Sequence, residues 1–193
     1  MLNNFRQLNI HFDPEALREA YFNAVTNIGF SGNMVNCISL THKSTNKSDP
    51  RGIFWTMNEN YEEVQVERFV DEEAYKVFEP LLMDSYFKNI YDVLSTHYSL
   101  GRVRILKLDS RASLSYHRDP EARIHIPIIT NPGALMIVEK DAHHLKADGS
   151  VYYIDTTKYH TALNGGESSR IHLVATILDE NKEEELYEIF GGD

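Results

Sequence analysis

The chain of 193 residues is long enough for one domain with a sizeable core, and its 42% hydrophobic and 25% charged residues are ordinary for a globular protein. Its 19 Lys and Arg stand against 29 Asp and Glu, and the formal net charge is -10. We therefore expect no nucleic-acid partner, because binding to a duplex needs clustered positive charge.

The first elements in chain order are a short strand and a helix. The helix is predicted to begin with Asp13 as its cap and Pro14 in its first turn. Leu17, Tyr21 and Val25 recur at a spacing of four, so they lie on one face of this helix.

The next segments alternate between strands and polar or helical stretches. Residues 33–43 and 52–57 have the pattern of strands, and residues 43–52 form a polar loop that is a candidate lid. Residues 71–98 have a helical pattern, which Pro80 is expected to divide into two pieces.

After Gly101 the chain becomes a series of short segments rich in β-branched and aromatic residues, separated by turn signals such as TNPG and NGGESS. No helical pattern lies between these segments, which favours antiparallel strands in a sandwich or barrel. The predicted strands cover residues 102–108, 123–129, 134–139, 151–155, 160–164 and 170–178.

These elements predict a single domain over residues 1–193. Residues 1–100 supply helices and supporting strands, residues 101–178 a β core, and residues 179–193 an acidic closing helix. No segment approaches the roughly 20 apolar residues that span a bilayer, and the N-terminus has no secretory signal pattern. The single cysteine, Cys37, allows no internal disulfide, so we expect a cytoplasmic protein with no membrane partner.

A His-x-Asp pair stands out just ahead of the strand at residue 123. His117 and Asp119 are two residues apart, so in extended chain both side chains point to one side and can offer a nitrogen and an oxygen to one ion. The same pattern at His11 and Asp13 is explained by the helix cap, so the pair alone is weak evidence. A solvated turn remains the alternative.

His160, at the start of a later strand, would complete a set of two histidines and one carboxylate. Such a facial triad suits non-haem Fe(II), because its other coordination positions stay free for substrate and oxygen. Arg170 follows ten residues later, and a hairpin at NGGESS would bring it alongside the strand of His160. A buried arginine requires an anion, although an edge charge paired with Glu167 is the alternative.

The segments HRD, RIHIPI and YHTALNGGESSRIHLVA resemble the Fe(II)/2-oxoglutarate-dependent oxygenases. Within them they are most similar to the aspartyl/asparaginyl β-hydroxylase group, which includes related bacterial proline hydroxylases. The resemblance covers about residues 101–178 and implies a double-stranded β-helix, a jelly roll of the cupin kind. The expected fold is therefore mainly β with flanking helices, and the N-terminal helices buttress one face.

The resemblance also implies roles for individual residues. His117, Asp119 and His160 would be the iron ligands at the catalytic centre, and Arg170 would bind the distal carboxylate of 2-oxoglutarate.

Arg123 and His125 match family positions that contact 2-oxoglutarate near the metal. A surface ion pair with Glu121 is the alternative for Arg123, and a core histidine bonded to a backbone carbonyl is the alternative for His125. His172 shares a face with Arg170 and either lines the pocket or packs as a buried polar residue.

The implied reaction uses Fe(II), O2 and 2-oxoglutarate, with ascorbate as a possible reductant, and releases succinate and CO2. It hydroxylates an unactivated carbon of an amino acid, free or within a peptide, with aspartate, asparagine or proline as the model side chains.

Two other classes of protein fit part of the pattern. A cupin-like metal protein, such as an isomerase or a sensor, needs the three ligands but not Arg170. A non-enzymatic β-sandwich that binds a partner needs neither the ligands nor the arginine.

Overall fold

The structure is a computed structural model that describes residues 4–31, 36–43, 52, 54–66, 70–179 and 187–188. Its α-helices are α1 (Pro14–Asn27) and α2 (Tyr86–His97), and neither described helix has the length and apolar character needed to cross a membrane. The strands are β1 (Phe5–His11), β2 (Asn36–Ser39), β3 (Thr41–His42), β4 (Phe54–Met57), β5 (Glu63–Val66), β6 (Val77–Phe78), β7 (Leu100–Leu108), β8 (Ala112–Ser113), β9 (His117–Arg118), β10 (Arg123–Ile129), β11 (Ala134–Val138), β12 (Asp141–His143), β13 (Ser150–Ile154), β14 (His160–Asn164), β15 (Arg170–Ile177) and β16 (Tyr187–Glu188).

Most of these strands form two antiparallel sheets. The first sheet has the order β16-β1-β13-β10-β15-β7-β2. The second has the order β12-β11-β14-β9-β4-β5, with β8 also paired to β14. Neither sheet closes on itself within the described ranges, and β3 and β6 pair separately. The predicted strands of residues 102–178 are all present.

The two faces of the first sheet pack against different parts of the protein. One face packs against α1 and α2 in a first core, whose members include Leu17, Ile90, Ile105, Ile124 and Leu173. The expected helical buttress on one face is therefore confirmed.

The opposite face of the first sheet is turned toward the second sheet. There Phe5, Leu108, Tyr152 and Ile154 of the first sheet form a second core with Met136, Val138 and Ala162 of the second sheet and with Leu145, which follows β12. Burying an apolar face on each side of one sheet is the layered arrangement expected for this class.

The predicted helical segment over residues 71–98 is helical only in its second half. The first half contains a 3-10 turn (Glu72–Ala74), strand β6 and a second 3-10 turn (Pro80–Leu82). Glu72 is buried and binds Arg102, with its Oε1 2.7 Å from Nε of Arg102 and its Oε2 2.8 Å from the backbone nitrogen. This long-range ion pair and the missing N–H of Pro80 favour short turns over a continuous helix.

Two sequence predictions fall largely outside the described residues. Of the candidate lid at residues 43–52, only 43 and 52 are described. Of the predicted closing helix, residues 180–186 and 189–193 are not described, and Tyr187 and Glu188 are extended instead, paired with β1. The helix therefore does not continue through these two residues.

The turn after β14 does not form the predicted hairpin. β14 lies in the second sheet, whereas β15 lies between β10 and β7 in the first, so residues 165–169 cross from one sheet to the other. Asn164 stabilises the crossing, because its amide donates to the carbonyls of Leu108 at 3.2 Å, Asp109 at 3.0 Å and Ser168 at 2.9 Å. This spacing of ten residues therefore places His160 and Arg170 in facing sheets.

Candidate metal centre

The three predicted metal ligands meet at the inner side of the second sheet. His117 begins β9 and His160 begins β14, and these two residues are direct partners in the antiparallel register. Asp119 follows β9, where its backbone N–H donates to the carbonyl of Thr156 at 2.8 Å. One potential ligand atom from each of the three side chains lies within 4.8 Å of the others.

The individual distances are compatible with one small ion between the three side chains. Nε2 of His117 is 3.8 Å from Oδ1 of Asp119, and Nε2 of His160 is 3.4 Å from Oδ2. Ligand atoms that each lie about 2 Å from a shared metal are separated by comparable distances. Two imidazoles and one carboxylate with open positions are the donor set that suits non-haem Fe(II).

Both histidines are oriented by backbone carbonyls. Nδ1 of His117 is 2.6 Å from the carbonyl oxygen of Ser115, and Nδ1 of His160 is 3.0 Å from that of Lys158. A carbonyl only accepts, so each Nδ1 carries the proton and each Nε2 keeps a free lone pair for the metal. Such contacts fix the tautomer and the ring orientation of metal-binding histidines.

Burial keeps this centre away from bulk water. The Asp119 and His160 side chains are each 4% exposed, and the ring of Phe54 meets His117 edge-on. Burial, with a smaller contribution from His160, lowers the pKa of His117, even though Asp119 opposes the shift. His117 is therefore held in the neutral state that binds metals.

Arg123 provides the positive charge beside the carboxylate ligand. Its Nη2 lies 2.8 Å from Oδ2 of Asp119. Burial alone would raise the pKa of Asp119, but Arg123 and then the two histidines outweigh burial and hold this pKa below its ordinary value. Arg123 is thus paired with Asp119, and the surface ion pair with Glu121 is not present.

Arg170 is buried on the facing sheet. It lies opposite Leu108 in the register, and Leu108 belongs to the second core, so the guanidinium also faces the space between the sheets. Glu167 is instead 3.5 Å from Arg111, and no described carboxylate is within ion-pair distance of Arg170. Burial lowers the pKa of Arg170 to about 10, so it remains charged at neutral pH.

A pair of buried histidines lies beside this arginine, with His172 in contact with it. His172 is 1% exposed and lies 3.1 Å and 2.9 Å from Nε and Nη2 of Arg170. Nδ1 of His125 is 3.4 Å from Nδ1 of His172, so the alternative for His125, a bond to a backbone carbonyl, is not observed. Burial, and then Arg170, lowers the pKa of both histidines well below the ordinary value.

His125 is close both to the candidate metal ligands and to Arg170. Besides Arg170, the charges that act on its pKa come from Arg123, His160 and Asp119, so it lies within electrostatic reach of both the candidate metal ligands and the buried arginine. Its Nε2 is buried without a hydrogen-bond partner among the described residues. Such an orphaned polar atom is costly unless a ligand satisfies it.

Several residues of this region were not predicted from the sequence. The backbone carbonyls of Ser115 and Lys158 could not be predicted, because a backbone acceptor does not depend on the identity of its side chain. The positions of Arg102 and Arg104 could have been predicted, because these residues alternate with Val103 and Ile105 on β7 and so share the face turned toward the second sheet.

A comparison with models of known protein families shows which family this chain belongs to. The model of the aspartyl/asparaginyl beta-hydroxylase family matches residues 83–179, which is about half of the chain and contains the three candidate metal ligands, Arg123 and Arg170. The chain belongs to the aspartyl/asparaginyl beta-hydroxylase family. It is a 2-oxoglutarate-dependent hydroxylase by this membership, as the sequence predicted.

Solved structures agree with the fold of this hydroxylase. A 2OG-Fe(II) oxygenase family oxidoreductase from Burkholderia pseudomallei has a TM-score of 0.53 at 14% identity, covering 90% of this chain and 83% of that chain. The viral collagen prolyl hydroxylase of Paramecium bursaria Chlorella virus-1, solved as a 2OG complex, has a TM-score of 0.51 at 10% identity, covering 91% and 96%. Among curated protein sequences, none is significantly similar. The predicted jelly-roll class is therefore confirmed.

Proposed function

We propose that this hydroxylase binds Fe(II) through His117, Asp119 and His160 and uses it with 2-oxoglutarate and O2 to hydroxylate an unactivated carbon. The observation that carries the proposal is the convergence of these three ligand atoms within 4.8 Å, each histidine with its Nε2 free. When bound, the iron and its cosubstrate supply the oxidising chemistry, which no protein side chain can provide.

Arg170 is proposed to bind the distal carboxylate of 2-oxoglutarate. The guanidinium is buried, charged and without a carboxylate among its described neighbours, so a dicarboxylate would supply the missing anion. His172 lies against this guanidinium and, because it stays neutral, holds it in place without adding a competing positive charge.

Arg123 and His125 are proposed to contact the same cosubstrate closer to the metal. Nε of Arg123 and Nε2 of His125 are both buried and have no partner within the described part of the chain. His125 lies near Asp119 and His160 on one side and near Arg170 on the other, which is the path that 2-oxoglutarate would occupy between iron and arginine.

The products and substrate follow from this assignment as proposals. Succinate and CO2 would leave as 2-oxoglutarate is consumed, with ascorbate keeping the iron reduced between turnovers. The substrate would be an amino acid or a peptidyl side chain resembling aspartate, asparagine or proline. A cytoplasmic location remains a prediction.

Succinate release tests this function directly. Protein with Fe(II), 2-oxoglutarate and ascorbate is incubated in air with a panel of free amino acids and of short peptides containing aspartate, asparagine or proline. We expect one class of compound to stimulate succinate release, with a product heavier by one oxygen atom. Iron-loaded protein that forms no succinate with or without any compound would contradict the proposal.

A further inference from the structure

The turn between β13 and β14 (residues 155–159) is bonded to two of the three proposed metal ligands. The carbonyl oxygen of Thr156 accepts from the backbone N–H of Asp119 at 2.8 Å, and the carbonyl oxygen of Lys158 lies 3.0 Å from Nδ1 of His160. These two carbonyls are only two residues apart in the chain. A shift of this turn would therefore move Asp119 and His160 relative to each other.

Thr156 also holds the chain beyond Asp119 through its side chain. Its hydroxyl donates to the carbonyl oxygen of Glu121 at 2.6 Å, and the residue is 0% exposed. Thr156 thus fixes the β9–β10 turn (residues 119–122) at its first and third positions. The last position of the same turn is held by the first sheet, because the backbone N–H of Ile177 donates to the carbonyl of Ala122 at 3.1 Å.

The side chain of Asp119 needs this support because two kinds of partner compete for it. Nη2 of Arg123 lies 2.8 Å from Oδ2 of Asp119, whereas Nε2 of His117 lies 3.8 Å from Oδ1. A charge-assisted hydrogen bond to a guanidinium is strong. If the backbone of Asp119 were free to shift, the carboxylate could move toward Arg123 and away from the histidines. Fixing the turn limits that movement.

The hydroxyl is the part of Thr156 that makes the side-chain contact. Valine has nearly the same shape as threonine but has no donor. With valine at this position, the partly buried carbonyl of Glu121 would lose its donor and incur a desolvation cost. The β9–β10 turn would then shift until another donor satisfied this carbonyl.

We propose that Thr156 is a positioning residue for the metal, because its hydroxyl fixes the β9–β10 turn so that Asp119 and both histidines reach one ion. This inference rests on the proposed function for the identity of the three ligands. Thr156 acts through Asp119 and does not contact the metal itself. Partners that orient metal ligands in this way typically change metal affinity by about ten- to hundredfold.

The Fe(II) affinity of Thr156 variants tests the inference. Thr156→Val removes the donor and keeps the shape, so anaerobic calorimetry is expected to give an Fe(II) Kd about ten- to hundredfold higher than that of the wild type. Thr156→Ser keeps the hydroxyl and is expected to restore most of the affinity. Should Thr156→Val fail to fold, Thr156→Cys takes its place under the same criteria, because a thiol is only a weak donor.

Thr41→Val is the matched control for loss of a buried threonine hydroxyl. Thr41 is also 0% exposed, and its hydroxyl accepts from the backbone N–H of Val103 at 2.8 Å, outside the proposed metal centre. This variant is expected to lose stability and to keep the Fe(II) Kd of the wild type.

Amide hydrogen exchange in the metal-free protein provides a readout that does not depend on iron. The amide of Asp119, which bonds to Thr156, is expected to exchange about tenfold faster in Thr156→Val than in the wild type, relative to the amide of Leu173 in the first core. Thr156→Ser and Thr41→Val should keep the ratio of the wild type. A merely structural effect would speed up both amides together, because both would exchange through global unfolding.

The outcomes separate this inference from the proposed function. Wild-type protein that binds Fe(II), beside a Thr156→Val protein that binds it equally well, contradicts the inference alone. The inference is also overturned by an equal loss of affinity in Thr41→Val, by Thr156→Ser that fails to restore affinity, or by an Asp119 amide whose relative protection is unchanged in Thr156→Val. Wild-type protein that binds no Fe(II) contradicts the proposed function, and the inference with it.

Discussion

Arg170 is the residue that distinguishes a 2-oxoglutarate enzyme from a protein that only binds metal. Arg170→Met removes the proposed partner of the distal carboxylate and leaves the three proposed metal ligands in place. A hydrogen-bonded charge is worth about 1.5–3 kcal/mol, so we expect the 2-oxoglutarate Kd to rise about ten- to hundredfold while Fe(II) affinity stays within about twofold. Anaerobic titrations of each component measure both quantities.

Arg18→Met serves as the control for this change, because Arg18 lies on the surface of α1. An Arg170→Met protein that binds 2-oxoglutarate as tightly as the wild type would favour the metal-only class of protein.

His172 gives the protein a specific sensitivity to acid. Burial, and then Arg170 and His125, lowers the pKa of His172 well below its ordinary value of 6.5, so the unfolded chain binds a proton that the folded chain refuses. The free energy of unfolding therefore falls as the pH drops below about 6.5, by about 1.4 kcal/mol per pH unit for this residue.

Replacing His172 with glutamine removes the imidazole that binds this proton in the unfolded chain. Urea unfolding of the metal-free protein at pH 7.5 and 5.5 is expected to show a smaller loss of stability for His172→Gln than for the wild type, by about 1 kcal/mol. Parallel losses in both proteins would show that His172 is protonated in the folded state.

At the scale of elements, the crossing from β14 to β15 decides where Arg170 lies. Asn131 stabilises the turn, donating to Oδ1 of Asn164 and to the carbonyl of Ser168 at 3.0 Å each, while its own Oδ1 accepts from Gly133 at 3.0 Å. A Cβ on Gly166 would collide with the side chain of Asn131, which these bonds hold in place.

Gly166→Ala is therefore expected to lower the free energy of unfolding by about 1–3 kcal/mol and to weaken 2-oxoglutarate binding, because the start of β15 must shift. Gly165→Ala is the matched control, since its Cβ would be 3.6 Å from the carbonyl oxygen of Gly133, an ordinary contact. Urea unfolding and 2-oxoglutarate titration compare the two variants. Equal effects of both substitutions would contradict this account of the turn.

At the scale of the whole molecule, composition and turn signals predicted the β core, and residue types predicted the chemistry. Short segments rich in β-branched and aromatic residues, separated by turn signals, were sufficient to place β7, β10, β11, β13, β14 and β15. Local pattern could not show that NGGESS crosses between sheets, because the amide of Asn164 bonds backbone carbonyls far away in sequence. The buried Glu72–Arg102 pair also joins residues far apart in sequence, so the local pattern did not predict that it would favour short turns over the first half of the predicted helix.

Like the fold, the candidate site was predicted only in part from the sequence. His117, Asp119 and His160 converge as expected, because each lies at or next to a strand end and the two strands pair in register. The partners of Arg123 and His125 were not predicted. Asp119 contacts Arg123 across the turn between β9 and β10, and His172 contacts His125 because β15 pairs beside β10, and the local pattern showed neither arrangement.

The most direct test of the account is an anaerobic titration of Fe(II)-loaded protein with 2-oxoglutarate, followed by visible absorption. A cosubstrate that chelates iron held by His117, Asp119 and His160 is expected to produce a weak charge-transfer band that saturates at one equivalent. The band should be absent from His160→Ala and shifted to higher 2-oxoglutarate concentration in Arg170→Met. Wild-type protein that binds Fe(II) at these residues yet shows no band at saturating 2-oxoglutarate would contradict the central claim.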